Sequence, residues 1–567
     1  MDNTALFLII RRMRLPIFVL IVTFSVSILG MTLIPGMDDE GNVYHLTFFD
    51  AFYFVSYMAS TIGFGEAPYT FTYPQRLWVS FSIYMTVIGW FYAIGSIVAL
   101  MQDKVLASQI ALAQFAKKIR GIREPFIIFV GYNLLAKNII RKLSEEGIQS
   151  VVIEKNEAKI DEMVLANYTL EIPAMHGDIN DPDVFRIAGI EKPECRAVVS
   201  LSSDDAMNLH AAMSAKLLNP KVNVIVEATY EEYAENLNTI GIEIVENPFK
   251  IVAKRLYMAL RAPSLLMLEQ WIYDEPFSLS HRDMLPPHGK YIVCGYGRMG
   301  KAIRIALKRA GIEYIFIEAN PKKVRQMKKS DDKHIMVGEG QDKKLLLEAG
   351  VREATCIIAG MNDDFINLSI VMAAKKLNPN IFTIARQNNI HDSVVFKAAN
   401  IDRVVVVQHL LINQTFIAIA RPLSERFLRL IKNMGSEWGE GLILTLKQVI
   451  GEEPLKMEVE VTEEDAYALC RHLEMVEPVP LKTLFYSRSD NRKLNRLIAL
   501  YLKRGEEEFL LPDTGMMLRK GDQILFAGDR EAFDDVEYIM QNIYELHYVL
   551  EGESCDTSLS CRLRLEA

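Results

Sequence analysis

Residues 61–66 read Thr-Ile-Gly-Phe-Gly-Glu, and such a segment can bind a dehydrated cation through its main chain. A pore that strips water from a cation must supply replacement oxygens, and backbone carbonyls directed at one axis do so. Successive carbonyls can turn the same way only where some residues adopt conformations that glycine permits, and Gly63 and Gly65 alternate with bulkier residues. The expected cation ligands are the carbonyl oxygens of Thr61, Ile62, Gly63 and Phe64.

A second glycine segment has the spacing of a dinucleotide-binding loop. Residues 295–300 read Gly-Tyr-Gly-Arg-Met-Gly, follow the apolar run 291–294 and precede a helical pattern. Glycines there give a tight turn and let a pyrophosphate approach the backbone, while the helix N-terminus offers N–H groups to the anion. The expected nucleotide-binding residues are Gly295, Tyr296, Gly297, Arg298, Met299, Gly300, Glu318 and Glu339.

The side chains near this loop have separate predicted roles. Glu318 ends the second strand, 23 residues after Gly295, and is placed to accept hydrogen bonds from ribose hydroxyls. A carboxylate there disfavours a 2′-phosphate, which favours NAD or an adenosine nucleotide (ADP or ATP) over NADP. Arg298 is expected to reach the phosphates, and Glu339 to face the base or its hydroxyls. The alternative is that the glycines only close a turn.

The elements that position these segments differ along the chain. Residues 15–34 and 77–102 contain no charged side chain, and each run is long enough to cross a hydrocarbon core of about 30 Å. Residues 48–60 are too short to cross the membrane and predict a re-entrant pore helix that leads into the segment 61–66. Lys and Arg residues precede the first span and follow the second, whereas the loop between the spans carries acids. By the positive-inside rule, both termini are therefore expected to be cytoplasmic. A cleaved signal peptide is disfavoured because the first apolar run is too long.

The soluble part contains a duplicated unit. Residues 126–131 and 291–295 begin the two copies, and the spacing from first glycine to acid is 23 residues in each (131 to 154, 295 to 318). Short buried strands alternating with helices predict two parallel, doubly wound sheets. The first copy reads Gly-Tyr-Asn-Leu-Leu-Ala at 131–136, so we expect little or no dinucleotide there and a capping or turn role for Glu154.

The predicted organisation therefore combines an α-helical two-span pore, two α/β Rossmann-like domains and a small α+β unit. Residues 105–123 form a linker that we expect to be a helix continuing the inner span, and Gly89 or Gly95 within that span is either a gating hinge or a packing position. All six cysteines follow the second span and are expected to be reduced. The predicted segments are a pore domain at 1–104, the linker 105–123, α/β domains at 124–285 and 286–424, an α+β unit at 425–550 and a tail at 551–567.

Three carboxylates, Asp178, Asp181 and Asp183, leave two interpretations open. Their oxygens would suit a divalent cation such as Ca2+. Asp-Pro-Asp also commonly begins a helix, and we favour this capping interpretation.

Residues 61–66 closely resemble the potassium-channel signature Thr-Val-Gly-Tyr-Gly-Asp, with Ile62, Phe64 and Glu66 as the departures. Phe64 lacks a hydroxyl that often tethers this filter to its surroundings. With the two spans and the duplicated unit, the chain resembles prokaryotic potassium channels with tandem RCK domains (regulators of potassium conductance). The resemblance implies a homotetramer in the inner membrane, one potassium pore and a cytoplasmic gating ring whose ligands include NAD, ADP or ATP, and calcium.

Two other functions compete with a ligand-gated potassium channel. A membrane-anchored NAD-dependent dehydrogenase would use the same 295–300 loop, but no recognisable acid–base pair follows it, so we expect no catalytic residues. A regulatory subunit of a potassium transporter would contain the soluble halves but needs no filter of its own. The formal net charge of −9 argues against general nucleic-acid binding.

Overall fold

A computed structural model of the chain describes residues 3–242, 244–273, 285–325, 334–475 and 478–552. The chain divides into two compact units, one formed by residues 1–123 with the short segments 173–175 and 187–189, the other by the remainder. Most of the predicted tail, from residue 553, lies outside the described residues.

The first unit is built on two long apolar helices. Their apolar stretches, Ile10–Leu33 and Tyr73–Leu100, contain 24 and 28 residues, or about 36 and 42 Å of helix at 1.5 Å per residue. Both are therefore long and apolar enough to cross a membrane. In chain order the elements are α1 (Asn3–Leu33), β1 (Gly36–Met37), β2 (Val43–Tyr44), α2 (Phe48–Ala59), α3 (Tyr73–Met101) and α4 (Lys104–Gly121).

The short helix α2 packs between the two long helices. Thr47 caps it by accepting a hydrogen bond from the Asp50 amide, and its buried side chains join a cluster with Ile28 and Met31 of α1. Trp78 of α3 donates to the Ser27 carbonyl of α1 at 3.1 Å. These contacts fix the position at which the segment 61–66 leaves the end of α2.

The linker is helical as predicted, but the prediction that this helix continues the inner span is wrong. Helix α3 ends at Met101, and α4 begins at Lys104 after a two-residue break. The side chain of Asp103 accepts a hydrogen bond from the Val105 amide at 2.8 Å. An aspartate that bonds to nearby backbone in this way competes with helical hydrogen bonds and starts a new helix instead of extending the old one.

The first repeat of the second unit is a six-stranded parallel sheet in the spatial order β5-β4-β3-β6-β7-β8. The order in which successive strands are added to the sheet therefore reverses between β3 and β6, which makes this the topological switch point. Its elements are β3 (Phe126–Val130), α5 (Leu134–Glu145), β4 (Gln149–Glu154), α6 (Glu157–Leu165), β5 (Ala174–His176), α7 (Asp183–Ile187), β6 (Cys195–Ser200), α8 (Asp205–Leu218), β7 (Asn223–Glu227), α9 (Glu231–Thr239), β8 (Ile244–Glu246), α10 (Pro248–Arg261) and α11 (Pro263–Ile272).

The second repeat has the same topology, with the order β11-β10-β9-β12-β13-β14. The predicted duplicated, doubly wound fold is therefore confirmed. Its elements are β9 (Lys290–Cys294), α12 (Arg298–Ala310), β10 (Glu313–Glu318), α13 (Pro321–Arg325), β11 (Ile335–Val337), α14 (Lys343–Glu348), β12 (Cys356–Ala359), α15 (Asp364–Leu377), β13 (Phe382–Gln387), α16 (Ser393–Ala398), β14 (Arg403–Val406), α17 (Val407–Ala420) and α18 (Pro422–Ile431).

The two repeats exchange helices. Helix α10, which follows the first sheet, packs on α12 of the second repeat, and α17, which follows the second sheet, packs on α5 of the first. The two repeats therefore pack against each other through both exchanged helices. The predicted boundary between residues 424 and 425 falls within α18.

The remaining residues form the predicted small α+β unit around an antiparallel sheet in the order β15-β20-β18-β19. Within 520–529 the chain makes a turn at Gly521, which has a φ of 86°, and β20 follows it. The elements are α19 (Ser436–Val449), β15 (Leu455–Glu460), α20 (Tyr467–Glu474), β16 (Tyr486–Ser487), β17 (Asp490–Leu494), β18 (Leu497–Arg504), β19 (Glu507–Leu510), β20 (Gln523–Gly528), α21 (Arg530–Gln541) and α22 (Ile543–Glu551).

Candidate functional site

The segment 61–66 has an alternating backbone. The φ angles of Thr61, Gly63 and Gly65 are 60°, 65° and 73°, whereas Ile62 and Phe64 are absent from the set of positive-φ residues. Alternation between left-handed and ordinary conformations turns successive carbonyls to a common side of an extended chain. All six residues are exposed in the single chain. One chain thus presents one strip of carbonyl oxygens.

Two tyrosines of α2 hold the far end of this strip. The Tyr57 hydroxyl donates to the Glu66 carbonyl at 2.7 Å, and the Tyr53 hydroxyl donates to the Glu66 carboxylate at 3.0 Å. The ring of Phe64 lies edge-on to Tyr57, with centroids 6.2 Å apart. The tether that Phe64 lacks is therefore supplied by α2. Sequence reasoning missed the role of Tyr53 and Tyr57, which lie 13 and nine residues before Glu66 in the chain.

Replacing Tyr57 by phenylalanine is expected to loosen the strip while preserving the ring packing. The change removes one hydrogen bond, worth about 0.5–1.5 kcal/mol, and we expect selectivity for K+ over Na+ to fall by roughly two- to tenfold. Flux of each ion into liposomes measures this ratio. Tyr84→Phe on the exposed face of α3 is the matched control, and an equal loss in both variants would contradict the tether.

The two glycines of α3 have different surroundings. A Cβ on Gly89 would lie 2.8 Å from the Thr23 hydroxyl of α1, whereas a Cβ on Gly95 would meet nothing within 4 Å. Helix α3 runs through both positions without a break. Gly89 is therefore a close-packing position between helices, and of the two predicted hinges only Gly95 is proposed as one.

The 295–300 loop connects β9 to α12 and has the geometry that its glycines predict. Gly295 has a φ of 101°, and a Cβ on Gly300 would lie 2.1 Å from the Gly295 carbonyl oxygen. A Cβ on Gly297 would meet nothing within 4 Å. Gly297 is also the N-cap of α12, and no side chain caps that helix. The start of α12 therefore has no side-chain cap and has room beside Gly297, as an anion site requires.

The first repeat closes the corresponding position. Asn133 is the N-cap of α5 and accepts a hydrogen bond from the Ala136 amide at 2.9 Å. Its amide group also donates to the Leu201 carbonyl beyond β6 at 2.7 Å. One side chain thus covers the helix N-terminus and spans the crevice between neighbouring strands. This is the physical basis for the expectation that the first repeat binds no dinucleotide.

Several of the predicted nucleotide-binding side chains point elsewhere. Tyr296 and Met299 are buried in the core beside α12, so they offer a ligand only their backbone. Glu318 is 3% exposed, and its two oxygens accept hydrogen bonds from the amides of Tyr296 and Asn320 at 2.7 and 3.0 Å. Glu339 is exposed and accepts from the Gln341 side chain.

The Glu318 carboxylate therefore holds the glycine loop in place. Glu154 does the same in the first repeat, accepting from the amides of Tyr132 and Asn156 at 2.6 and 2.8 Å. The predicted turn role of Glu154 is confirmed, and an acid at this position accompanies both the open loop and the closed one. The acid alone does not distinguish them, whereas the residue at the helix N-cap does.

The side chain of Arg298, at the start of α12, packs against the first repeat and not over the position predicted for the phosphates. Its guanidinium donates to the Thr229 hydroxyl at 2.7 Å and lies 4.9 Å from the ring centroid of Phe249 and 5.2 Å from that of Tyr230. Cation–π contacts of this kind hold a guanidinium in place. Arg298 therefore links α12 to the first repeat.

Glu227, at the end of β7, is a buried acid that sequence reasoning missed. Burial, and then the charge of Asp205, raise its pKa to about 7, and Arg298 partly opposes this shift. The duplicated sequence contains the signal, because aligning Pro220 with Pro379 puts Glu227 opposite Arg386. The two repeats thus carry opposite charges at the end of the same strand.

Replacing Glu227 by glutamine is expected to stabilise the protein above neutral pH. Because the folded pKa exceeds the unfolded value of about 4.3, ionisation destabilises the fold as pH rises from about 4.5 to 7, and the cost is complete above pH 7. The gain should approach about 1–3 kcal/mol at pH 8 and vanish near pH 4.5. Unfolding by denaturant across this range measures it. Exposed Glu232→Gln is the control, and a gain independent of pH would contradict the assignment.

The divalent-cation interpretation of Asp178, Asp181 and Asp183 does not fit their contacts. Asp178 pairs with Lys155 at 2.8 Å, Asp181 accepts from the Asp183 amide at 3.0 Å, and Asp183 pairs with Arg186 at 3.1 Å. The alternative of local capping and pairing explains all three. Throughout the described part of the chain, no group of three or more acidic, histidine or cysteine side chains could hold a metal ion.

Comparisons with known proteins agree with this architecture. Residues 127–248 and 291–407 both match the family described as the TrkA-N domain. Potassium channel protein 1 of Methanocaldococcus jannaschii is 26% identical over 239 residues, which are 42% of this chain and 67% of that protein. The voltage-gated potassium channel Kch of Escherichia coli is 27% identical over 206 residues, 35% of this chain and 46% of Kch.

Among solved structures, the GsuK channel bound to NAD has the same fold. The match covers 94% of this chain and 98% of GsuK, with a TM-score of 0.50 and 16% sequence identity. The fold match therefore includes the helices that precede the two regions similar to the TrkA-N domain. The aligned regions of the two sequence relatives span only 46–67% of those proteins' lengths.

Proposed function

Because this chain carries two TrkA-N (RCK) domains after two helices apolar enough to span a membrane, we propose that it is a potassium channel gated by a cytoplasmic nucleotide. The observation that carries the proposal is the alternating backbone of residues 61–66 between the two helices. Thr61, Ile62, Gly63, Phe64 and Gly65 form the selectivity filter. The relatives named as potassium channels and the GsuK fold support this assignment.

The working assembly is a homotetramer. One chain supplies a single strip of carbonyl oxygens, whereas a potassium ion that has lost its water needs oxygens on all sides, so four strips around one axis are required. Both termini are cytoplasmic, and the filter opens to the outside of the inner membrane, in accord with the basic residues that flank the spans.

The gating ligand binds at the 295–300 loop. The uncapped start of α12 and the open space at Gly297 suit a pyrophosphate, and the fold relative GsuK was solved with NAD. Gly295, Gly297 and Gly300 allow the ligand to approach the backbone. NAD is the proposed ligand, with ADP or ATP as the alternative. A ligand gates the pore only by binding more tightly to one state of the ring than to another.

We assign no catalytic residues to this nucleotide site. The carboxylate of Glu318, which holds the loop, is buried and engaged with backbone amides, so it is not available as a general base. The site therefore supports ligand binding for regulation. Oxidation of bound NADH by an added substrate would argue against this assignment.

Ion flux and ligand binding test the proposal together. Liposomes that contain the full-length protein and are loaded with K+ should take up 86Rb+, and barium should block this uptake. Liposomes loaded with Na+ instead should take up none, and NAD should change the rate of uptake. Absence of selective flux from correctly folded tetramers would overturn the channel assignment. Selective flux that does not respond to NAD would support the channel assignment and contradict NAD as the gating ligand.

A further inference from the structure

A charged cavity lies beside the 295–300 loop, between helix α10 of the first repeat and helix α12 of the second. Its volume is about 560 Å3, which is within the usual range for small-ligand sites. We call it the α10–α12 cavity. Three aromatic rings, Tyr230, Phe249 and Tyr257, line it together with apolar residues of α12.

The α10–α12 cavity is strongly cationic in a chain that is acidic overall. Its lining includes five basic side chains, although burial and the nearby Lys432 lower the pKa of one of them, Lys254, to about 7. The one acid of the lining, Glu231, pairs with Lys250 at 2.6 Å. The chain has a formal net charge of −9, so this concentration of positive charge is local. Clefts lined by one sign of charge attract the opposite ion. The five basic residues are Lys250, Lys254, Arg298, Lys301 and Arg309.

Aromatic rings hold two of these cations in fixed positions. Arg298 lies over Phe249 and Tyr230, and Arg309 lies 5.1 Å from the ring centroid of Tyr257. The two arginines are 11 residues apart on α12, which is about 16 Å along a helix. Lys301 lies between them. The cavity thus offers spaced cations for several phosphate groups, and its ring–guanidinium pairs offer stacking surfaces for a base.

We propose that the α10–α12 cavity binds a nucleoside di- or triphosphate, separately from the ligand at the 295–300 loop. Phosphates pair with the row of cations on α12, and the base stacks on the aromatic side chains of α10 and the loop after β7. Such a ligand bridges α10 of the first repeat and α12 of the second. It therefore stabilises the packing between the repeats at the helix whose N-terminus forms the proposed NAD site.

Calorimetry with ATP on the full-length protein tests this proposal. Gly297→Asp, which blocks the loop site, serves as the background so that only the cavity remains. On that background ATP should still bind, and Lys301→Glu should weaken it by roughly tenfold or more. Lys308→Glu, on the same helix but outside the cavity lining, is the control and should change ATP affinity less than about twofold.

Three results would overturn the cavity assignment. They are no ATP binding to folded Gly297→Asp protein, equal losses in Lys301→Glu and Lys308→Glu, and inorganic pyrophosphate binding as tightly as ATP, which would show that the base is not recognised. NAD binding to the unmodified protein is measured in parallel. If the unmodified protein does not bind NAD, the proposed ligand of the 295–300 loop is wrong, and the ATP measurements alone decide whether the α10–α12 cavity binds a nucleotide.

Discussion

Replacing Gly63 by alanine is expected to abolish potassium flux while leaving the soluble domains folded. Gly63 has a φ of 65°, and its Cβ would meet nothing within 4 Å, so the cost arises from the backbone and not from crowding within the chain. A left-handed conformation costs an ordinary L-residue about 1–2 kcal/mol. Over the four subunits of the proposed tetramer this becomes roughly 4–8 kcal/mol per pore. Rotation of the peptide relieves that strain and turns a carbonyl away from the ion.

The chain provides a matched control for Gly63→Ala. Gly41 has a φ of 87° and an equally open Cβ position, but it lies in the loop before α2. Gly41→Ala therefore imposes a similar backbone strain outside the filter and should leave flux unchanged. Uptake of 86Rb+ into liposomes compares the two variants. Selective uptake by Gly63→Ala tetramers would contradict the filter assignment.

The sequence predicted the parts of this architecture that depend on local patterns. Two uncharged stretches predicted α1 and α3, and the duplicated strand–helix pattern predicted two sheets of the same topology. Glycine spacing also predicted the contrast between the two loops. In each case the signal is a steric or hydrophobic requirement that acts on residues close together in the chain.

Features that depend on distant contacts were missed. The exchange of α10 and α17 between the repeats directs Arg298 to Phe249, and no pattern within 295–300 indicates that neighbour. The support of Glu66 by Tyr53 and Tyr57 similarly requires the chain to fold back from the filter onto α2. The break before α4 is different, because Asp103 was a local signal and its capping role outweighed the helical composition of residues 105–120.

The two loops differ at one residue that a single substitution can exchange. Replacing Gly297 by aspartate puts a carboxylate at the N-terminus of α12, where Asn133 caps α5 in the first repeat. The new carboxylate accepts hydrogen bonds from the backbone amides that a pyrophosphate needs, and its negative charge repels the phosphates. We expect NAD binding by calorimetry to weaken at least about 100-fold, since loss of several charge-assisted hydrogen bonds exceeds 2.7 kcal/mol.

The matched control for Gly297→Asp is Asn133→Asp in the first repeat. It places the same side chain at the same position of the duplicated fold, and Asp caps a helix about as well as Asn. Since Asn133 already closes that loop, NAD binding should not change. Gly297→Asn separates the two causes, because it caps α12 without adding charge. If Gly297→Asn binds NAD normally and Gly297→Asp does not, charge repulsion explains the loss in Gly297→Asp, and the neutral Asn133 cap is not what makes the first repeat differ from the second. Unchanged NAD binding in Gly297→Asp itself would place the ligand away from the 295–300 loop.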